Sequence, residues 1–189
     1  MVVGLGNPGS EYRGTRHNVG FLALDALARK LGIAVTSRDS GAQVGQGLVP
    51  GADHNVLLVK PQTFMNLSGK AVAPLLRRHE LTTDRLWVLH DEIDIAFGRL
   101  RVRPGGGAGG HNGISSIMQS LGGDRGFIRV RMGVGRPDGE DTVDHVLGGF
   151  PDGERARVPA LVDLAVEATM VGLVDGLDEA MNQFNGRSV

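Results

Sequence analysis

Cysteine is absent from this chain of 189 residues. The absence excludes disulfide bonds, thiolate nucleophiles and zinc sites built on cysteine. The first residues run directly into strand-like sequence, without the basic segment and small-residue cleavage site of an export signal, so we expect a cytoplasmic protein. No apolar run approaches the length of a membrane span, and we therefore expect no membrane partner.

Aromatic residues and net charge are also scarce. The chain has six Phe, one Tyr, one Trp and a net charge of −1. So few rings do not favour a stacking platform for single-stranded nucleic acid. The charge is unevenly distributed, however: residues 99–136 hold seven Arg and one acid, whereas residues 138–179 hold eleven acids and two Arg. This asymmetry predicts that one face meets a polyanion, unless the charges are simply solvated and far apart.

Glycine, by contrast, is abundant, at 30 of 189 residues, and it concentrates between segments with regular hydrophobic spacing. Such loops are typical of backbone with positive φ, or of backbone that lies close to a ligand. The spacing itself predicts strands over residues 1–5, 44–49, 55–60, 85–90, 98–103 and 127–134. It predicts helices over residues 19–31, from Asn66 or Ser68 to about Glu80, and over 112–121, 154–173 and 177–184.

The alternation of strands and helices predicts a single α/β domain over residues 1–189, with a mixed, mostly parallel central sheet and helices on both faces. Residues 137–144 are predicted to form a mobile surface loop. Three polar residues, Asn7, Asn66 and Asp91, follow three of the predicted strands closely. If those strands are parallel neighbours, the three side chains converge on one cleft.

His17 and Asp91 are the best candidates for chemistry. Histidine titrates near neutral pH, and a carboxylate on one ring nitrogen fixes the tautomer that leaves the other nitrogen basic. Because the chain has no Cys and no Ser in a nucleophile setting, the expected nucleophile is water. Asp91 is interpreted as pointing inward, and Glu92 or Asp94 as a surface or capping residue.

The other histidines divide into several classes. His54 and His79 are interpreted as surface residues, and His90 as a buried residue with satisfied hydrogen bonds. His111 lies in a polar loop and stays a candidate site residue. The spacing of the histidines does not match that of a metal site.

Two glycine-rich segments need separate interpretations. Residues 4–9 match G-x-G-x-x-G, but no helix starts at the third glycine, so a tight turn that presents Asn7 is favoured over a dinucleotide site. Residues 105–110 are followed by His111 and Asn112 at a predicted helix start, where backbone N–H groups could hold a phosphate or an oxyanion. The alternative is a flexible linker with Asn112 as the N-cap.

Arginines alternate with apolar residues over 98–103. Arg99, Arg101 and Arg103 would share one strand face at a spacing of roughly 6.6 Å, and Arg129 and Arg131 repeat the arrangement. Such a series of cations suits a phosphate backbone. Salt bridges to the acidic tail are the alternative.

Five segments together resemble the bacterial-type peptidyl-tRNA hydrolase family: residues 2–9, 15–21, 60–69, 90–94 and 105–113. They stand in the family's order, and the chain has the family's length. The resemblance implies hydrolysis of the ester that joins a peptide to the terminal ribose of tRNA. It also implies a monomer that needs no metal, no organic cofactor and no obligate protein partner. A departure at residues 95–98, where relatives often have Leu-Pro-x-Gly, is expected to alter only a turn.

The resemblance also implies residue roles. His17 corresponds to the base that activates water, and Asp91 to the partner that stabilises it. Asn7 corresponds to the residue that helps to tell N-blocked from free aminoacyl-tRNA. The expected substrate-binding and tRNA-binding residues are Tyr12, Phe64, Met65, Asn66, Asn112, Arg101, Arg103 and Arg131. His111 is added to them as a polar loop residue. A non-catalytic tRNA-binding or RNA-binding module is the main alternative, and a nucleotide-dependent oxidoreductase is a third.

Overall fold

The computed structural model describes residues 1–136, 139 and 141–189. Its strands are β1 (Val2–Gly4), β2 (Ser37–Asp39), β3 (Ala42–Leu48), β4 (Asn55–Pro61), β5 (Trp87–Glu92), β6 (Leu100–Pro104) and β7 (Ile128–Gly133). Its helices are α1 (Val19–Leu31), α2 (Ser68–Arg78), α3 (Asn112–Ser120), α4 (Thr142–Leu147), α5 (Asp152–Arg155), α6 (Val158–Val174) and α7 (Leu177–Phe184). Short 3₁₀ turns cover Ser10–Tyr12, Arg16–Asn18, Met65–Leu67 and Thr83–Arg85.

All seven strands belong to one sheet, in the order β2-β3-β4-β1-β5-β7-β6. The four central strands β4, β1, β5 and β7 are parallel, whereas β2 and β3 on one side and β6 on the other are antiparallel to their neighbours. The predicted α/β class and mixed sheet are therefore confirmed, and the parallel order is confined to the central strands. Those are the strands whose carboxyl ends lie together at one edge.

Helices cover both faces of the sheet, as predicted. Helices α1, α6 and α7 pack on one face, where Val2 and Leu89 are fully buried. Helices α2 and α3 pack on the other, where Val3 and Val88 are fully buried. Successive strand residues point to opposite faces, which is why an uninterrupted apolar strand supplies both cores. None of the described helices is both long and apolar enough to cross a lipid bilayer.

Two glycines set how closely helices approach the sheet. A Cβ on Gly20 of α1 would lie 2.4 Å from the Leu89 carbonyl oxygen and 2.5 Å from that of Leu5. A Cβ on Gly172 of α6 would lie 2.0 Å from the Trp87 ring. Both separations are far below van der Waals contact, so these helix–sheet contacts require a residue without a side chain.

The predicted helices over 19–31 and 177–184 have the observed bounds. The helix predicted over 154–173 is divided into α5 and α6, with Pro159 in the first turn of α6. Strand β5 runs on to Glu92, two residues beyond its predicted end, and β2 was not predicted.

Two local predictions were wrong, and so was one alternative. Helix α2 follows a 3₁₀ turn, so its N-cap is Leu67 rather than Asn66 or Ser68. The alternative that made Asn112 the N-cap of α3 does not hold, because the N-cap is His111. Of the loop predicted over 137–144, residues 137, 138 and 140 lie outside the described part of the chain. The rest of that prediction fails from residue 142, where α4 begins with Asp141 as its N-cap.

Candidate active site

Strands β4, β1 and β5 are parallel neighbours, which is the condition set for the predicted convergence. The polar residues at their ends are not all brought into one cleft, because Asp91 lines one cleft and Asn7 lines another. Asn7 follows β1, and its Oδ1 accepts a hydrogen bond of 2.7 Å from the backbone N–H of Met65, in the turn after β4. Asn18 fixes the other side of Asn7, because its amide group pairs with the Asn7 backbone N–H and C=O at 2.8 and 2.9 Å.

His17 and Asp91 form the predicted pair. The Nδ1 atom of His17 lies 2.9 Å from both carboxylate oxygens of Asp91. His17 lies in the 3₁₀ turn before α1 and is 7% exposed, while Asp91 in β5 is 1% exposed. A carboxylate only accepts hydrogen bonds when ionised, so Nδ1 carries a proton, and in the neutral ring Nε2 then has the lone pair. That is the form of imidazole that can remove a proton from water.

A second imidazole contacts the same carboxylate. The Nε2 atom of His111 is 2.9 Å from Asp91 Oδ1, and the His111 ring centroid is 4.8 Å from those of His17 and His90. The role of His111 at this carboxylate was not foreseen, because histidine is not among the usual N-cap residues. Its place at the start of a predicted helix was the one available signal.

The charge of Asp91 depends on these neighbours. Burial by itself raises the pKa of the Asp91 carboxyl, but the facing His111 and His17 rings, with their hydrogen bonds, lower it more, and the net pKa lies well below its usual range. The carboxylate is therefore ionised at neutral pH. Burial also lowers the pKa of His90 well below its ordinary value, and the neighbouring His111 lowers it further.

His90 is thus a neutral, buried histidine of β5. Its Nδ1–H donates to the Asp91 backbone oxygen at 2.6 Å, while its Nε2 has no partner among the described groups. The predicted burial is confirmed, but the ring is satisfied at only one nitrogen. His54 and His79 are exposed, as expected.

The cleft around this pair has polar and apolar walls. Gly109, Gly110 and Asn112 form one wall beside His111. Ile93 together with Val143 and Val146 of α4 forms an apolar wall of the same cleft. The lining of the cleft thus combines polar backbone and amide groups with aliphatic side chains. Asn7 lines a second, separate cleft together with Arg13 and Lys60.

Arg16 attaches the apolar wall to the turn that carries His17. Its guanidinium donates to the carbonyls of Gly149 and His145 at 2.8 and 3.2 Å and reaches Glu154 at 3.4 Å. Its backbone N–H bonds to Gly148 at 3.0 Å. The role of Arg16 could not be predicted from the sequence, because its partners lie more than 125 positions further along the chain.

Arg129 is buried rather than displayed on a cationic strand face. It is 3% exposed, stacks over Phe127, and donates to the carbonyls of Gly106 and Gly107. Burial, followed by repulsion from Arg131 and Arg103, lowers its pKa to about 10. Arg129 therefore holds the glycine-rich loop that leads to His111.

The remaining arginines keep part of the predicted pattern. Arg99, Arg101 and Arg103 are exposed, while Leu100 and Val102 between them are buried. Arg131, opposite Arg101 in the sheet, contacts Glu92 through Nε at 2.9 Å and Nη2 at 2.8 Å.

Glu92 is buried and was wrongly interpreted as a surface or capping residue, because β5 extends far enough to set it beside β7. Asp94 is exposed, as predicted, and pairs with Arg136. Within the described ranges, the ion pairs of this arginine-rich stretch thus go to the end of β5 and not to the acidic tail.

The other predicted substrate residues lie around the same edge. Tyr12 and Phe64 form an edge-on aromatic pair with ring centroids 6.5 Å apart, and Phe64 is 56% exposed. Asn66 and Asn112 are exposed. Met65 is 4% exposed and packs against Gly113 at the start of α3.

His17, Asp91 and His111 are compact enough to be considered as a metal site, since their potential ligand atoms lie within 4.8 Å of one another. The hydrogen bonds do not fit that use. The Nδ1 atom of His111 accepts from backbone N–H groups, so its Nε2 carries the ring proton and has no lone pair for a metal. The three side chains are therefore interpreted as a hydrogen-bonded network.

Known proteins share both the sequence and the fold. A family model described as peptidyl-tRNA hydrolase matches residues 1–189. The peptidyl-tRNA hydrolase of Geobacter metallireducens is 47% identical over 187 residues, which cover 99% of this chain and 95% of the relative. The crystal structure of peptidyl-tRNA hydrolase from Acinetobacter baumannii superposes with a TM-score of 0.91 at 39% identity, covering 99% of this chain and 94% of the other. The chain therefore belongs to the peptidyl-tRNA hydrolase family.

Proposed function

We propose that this protein hydrolyses the ester between a peptide and the terminal ribose of tRNA, with His17 as the general base on water and Asp91 as its partner. The observation that carries the assignment of roles is the pair of 2.9 Å contacts from His17 Nδ1 to the Asp91 carboxylate. Family membership supports the reaction. The non-catalytic RNA-binding alternative is not favoured, since it gives no use to this pair.

The reaction needs a single proton relay. Nε2 of His17 removes a proton from water while the water oxygen attacks the ester carbonyl, and the resulting imidazolium faces the Asp91 carboxylate. Collapse of the tetrahedral intermediate breaks the bond to the ribose oxygen, which takes the proton from His17. The products are a tRNA with a free hydroxyl and a peptide with a free carboxylic acid, which loses its proton to solvent and becomes a carboxylate. A positioned base typically contributes about 10²–10⁴-fold.

The developing oxyanion needs donors. The side-chain amides of Asn66 and Asn112 are our candidates, because both are exposed at the carboxyl edge of the sheet and an amide N–H is the type of donor that such sites use. Tyr12, Phe64 and Met65 are proposed to contact the acyl group or the terminal nucleotide. His111 was expected among these substrate residues.

Asn7 is proposed to distinguish N-blocked from free aminoacyl-tRNA. Its Oδ1 is occupied by the Met65 N–H, which leaves the amide NH₂ as the group available to a substrate. A donor suits the carbonyl of a blocked amine or peptide, and it is mismatched with a free ammonium group, which also only donates.

Arg101, Arg103 and Arg131 are proposed to hold phosphates of the tRNA acceptor arm. We further propose that residues 1–189 act as one domain and as a cytoplasmic monomer, without an obligate protein partner, metal or organic cofactor.

The test is release of the acyl group from a purified N-acetylaminoacyl-tRNA, with unblocked aminoacyl-tRNA as the substrate control. Replacing His17 with Ala is expected to lower kcat by about 10²–10⁴-fold while tRNA affinity stays near that of the wild type. His54→Ala, at an exposed histidine, is the matched control and should retain full activity.

Parallel loss of catalysis and of tRNA affinity in His17→Ala would instead indicate a structural role. The same assay after treatment with EDTA is expected to show full turnover. Turnover that a chelator abolishes and added metal restores would contradict the metal-free relay.

A further inference from the structure

His111 uses both of its ring nitrogens inside the protein. Its Nδ1 lies 3.1 Å from the backbone nitrogen of Gly113 and 3.3 Å from that of Ile114, which makes it the N-cap of α3. Its Nε2 lies 2.9 Å from Asp91 Oδ1. The side chain is only 8% exposed. No polar atom of the ring is therefore left to bind a substrate.

These contacts fix the position of the ring proton. A backbone N–H can only donate, so Nδ1 must present a lone pair to Gly113 and Ile114. The one proton of the neutral ring is then on Nε2, where it is donated to the Asp91 carboxylate.

The glycine-rich loop that precedes His111 holds the ring in this position. Gly109 and Gly110, directly before it, have φ values of +59° and +81°, which residues with side chains rarely adopt. Earlier in the same loop, Arg129 holds the carbonyls of Gly106 and Gly107. The loop and the first turn of α3 thus determine where the His111 ring meets Asp91.

We propose that His111 is a positioning residue of the catalytic pair: capped by the α3 N-terminus, it donates a second hydrogen bond to Asp91 and holds that carboxylate for His17. This rests on the proposed function and extends it, because it replaces the expected substrate contact of His111 with an action through Asp91. It also gives the glycine-rich loop a task other than binding a phosphate.

The consequence for His17 concerns orientation. Asp91 is held by two imidazole groups, each 2.9 Å from its Oδ1. Without the His111 donor, the carboxylate keeps only its contact with His17, and its orientation toward His17 Nδ1 is less firmly fixed.

The groups that face this network can be named from each element packed around it. His17 comes from the turn before α1, Asp91 and His90 come from β5, and Arg129 of β7 lies near His90. His145 of α4 is turned away, toward the carbonyl of Gly135 at 2.9 Å.

His111→Ser is the decisive variant. Serine is a good N-cap, but its side chain is too short to replace the imidazole N–H that donates to Asp91. We expect its kcat on N-acetylaminoacyl-tRNA to fall about 10- to 100-fold, the factor that one hydrogen bond to a charged group provides. The loss should appear in kcat, with KM little changed. tRNA affinity should not change.

His111→Ala removes the cap as well as the donor. It should show the same kinetic defect as His111→Ser, with a lower Tm. If capping were the only role, the Ser variant would match the wild type in kcat while the Ala variant lost stability. That result would overturn the proposal.

The tautomer can be measured without turnover. Long-range ¹H–¹⁵N correlation on the wild-type protein at neutral pH is expected to show His111 protonated at Nε2 and bare at Nδ1. The opposite tautomer would refute the proposal even if both variants were slow. If the wild type failed to cleave N-acetylaminoacyl-tRNA, the proposed function would fall, and the tautomer would still decide whether His111 is arranged as described.

Discussion

Asp91 is the residue on which the charge balance of the cleft depends. It is a buried carboxylate, and an isolated charge at such a position is strongly disfavoured. Two imidazole rings compensate for the lost water, and they bring the pKa of Asp91 below its ordinary value despite burial. The same carboxylate therefore both stabilises the local fold and, in the proposed mechanism, orients His17 for proton transfer.

Replacing Asp91 with Asn tests both effects. The direction of the pH effect follows from the lowered pKa of Asp91 in the folded protein. Ionised Asp91 contributes stability above the carboxyl pKa of the unfolded chain, about 3.9, and this contribution is lost progressively as the pH falls from there toward the folded pKa. We expect the variant to have a much lower kcat and to be less stable than the wild type at pH 7. The gap in stability should shrink below about pH 4.

Urea unfolding at pH 7 and at pH 3 measures this gap. Asp94→Asn serves as the control, because Asp94 is a partly exposed carboxylate three positions further along the chain. A stability difference between wild type and Asp91→Asn that stayed constant with pH would mean that the ionised carboxylate is not favoured by folding.

Among the elements, those with strong periodicity and clear ends could be predicted from sequence. Helix α1 has apolar residues at helical spacing, and Gly32 ends it in the left-handed conformation. Helix α4 could not be predicted, because it has six residues and its attachment depends on Arg16, far away in the sequence.

Some residues of the site could likewise be predicted from the sequence, and others could not. His17 and Asp91 could be predicted from residue chemistry and position after strands. The burial of Glu92 could not, because it depends on Arg131, which lies 39 positions along the chain and reaches Glu92 only through the pairing of β5 with β7. The role of His111 depends on side-chain direction, which spacing does not report.

The close contact of α1 with the sheet can be tested at Gly20. A Cβ there would meet the backbone oxygens of Leu89 and Leu5, so we expect Gly20→Ala to destabilise the protein by about 1–3 kcal/mol. This loss should exceed the gain of about 1 kcal/mol from alanine's helix propensity. Activity should also fall, because α1 directly follows the turn that holds His17.

Gly153→Ala in α5 is the matched control, since a Cβ at that position meets nothing within 4 Å. Denaturant unfolding should show it as neutral or slightly stabilising. If the two variants behaved alike, the helix–sheet separation would not be set by Gly20.

Helix α4 should depend on Arg16. In Arg16→Met the carbonyls of His145 and Gly149 lose their donor, and α4 should be held less firmly beside the cleft. We expect KM for N-acetylaminoacyl-tRNA to rise with a smaller change in kcat, and hydrogen exchange in residues 142–147 to become faster.

Arg77→Met, at an exposed arginine of α2, is the comparison variant and should leave both measurements unchanged. A loss of kcat in Arg16→Met with unchanged KM and unchanged exchange would show instead that Arg16 acts on His17 alone.

At the scale of the whole molecule, the catalytic pair and the cationic strand lie on the same side of the sheet's centre. Asp91 is in β5, β7 is the next strand, and β6 with its exposed arginines forms the edge. A polyanion bound along β6 therefore has its phosphates within two strands of the cleft.

This arrangement predicts a salt effect for Arg101→Gln and Arg103→Gln. Each should flatten the slope of log K against log salt for tRNA binding by about one unit, because each removes one phosphate contact. Arg131→Gln should differ, since it leaves the buried Glu92 unpaired, and loss of one partner of such a pair costs about 3–5 kcal/mol.

Filter binding or fluorescence anisotropy over a salt series measures the slopes, with Arg77→Gln as the control. Slopes equal to that of the wild type in Arg101→Gln and Arg103→Gln would remove β6 from the tRNA-binding surface. An Arg131→Gln variant as stable as the wild type would show that the ion pair with Arg131 is not required to keep Glu92 buried.

The contact between Trp87 and Gly172 has a practical consequence. Trp87 is the sole tryptophan of the sequence, it is 5% exposed, and it begins β5 at the end opposite the catalytic pair. Its intrinsic fluorescence should therefore respond to the detachment of α6 from the sheet and stay insensitive to ligands in the cleft. Trp87 fluorescence can therefore be used to follow the unfolding of any active-site variant separately from its catalysis.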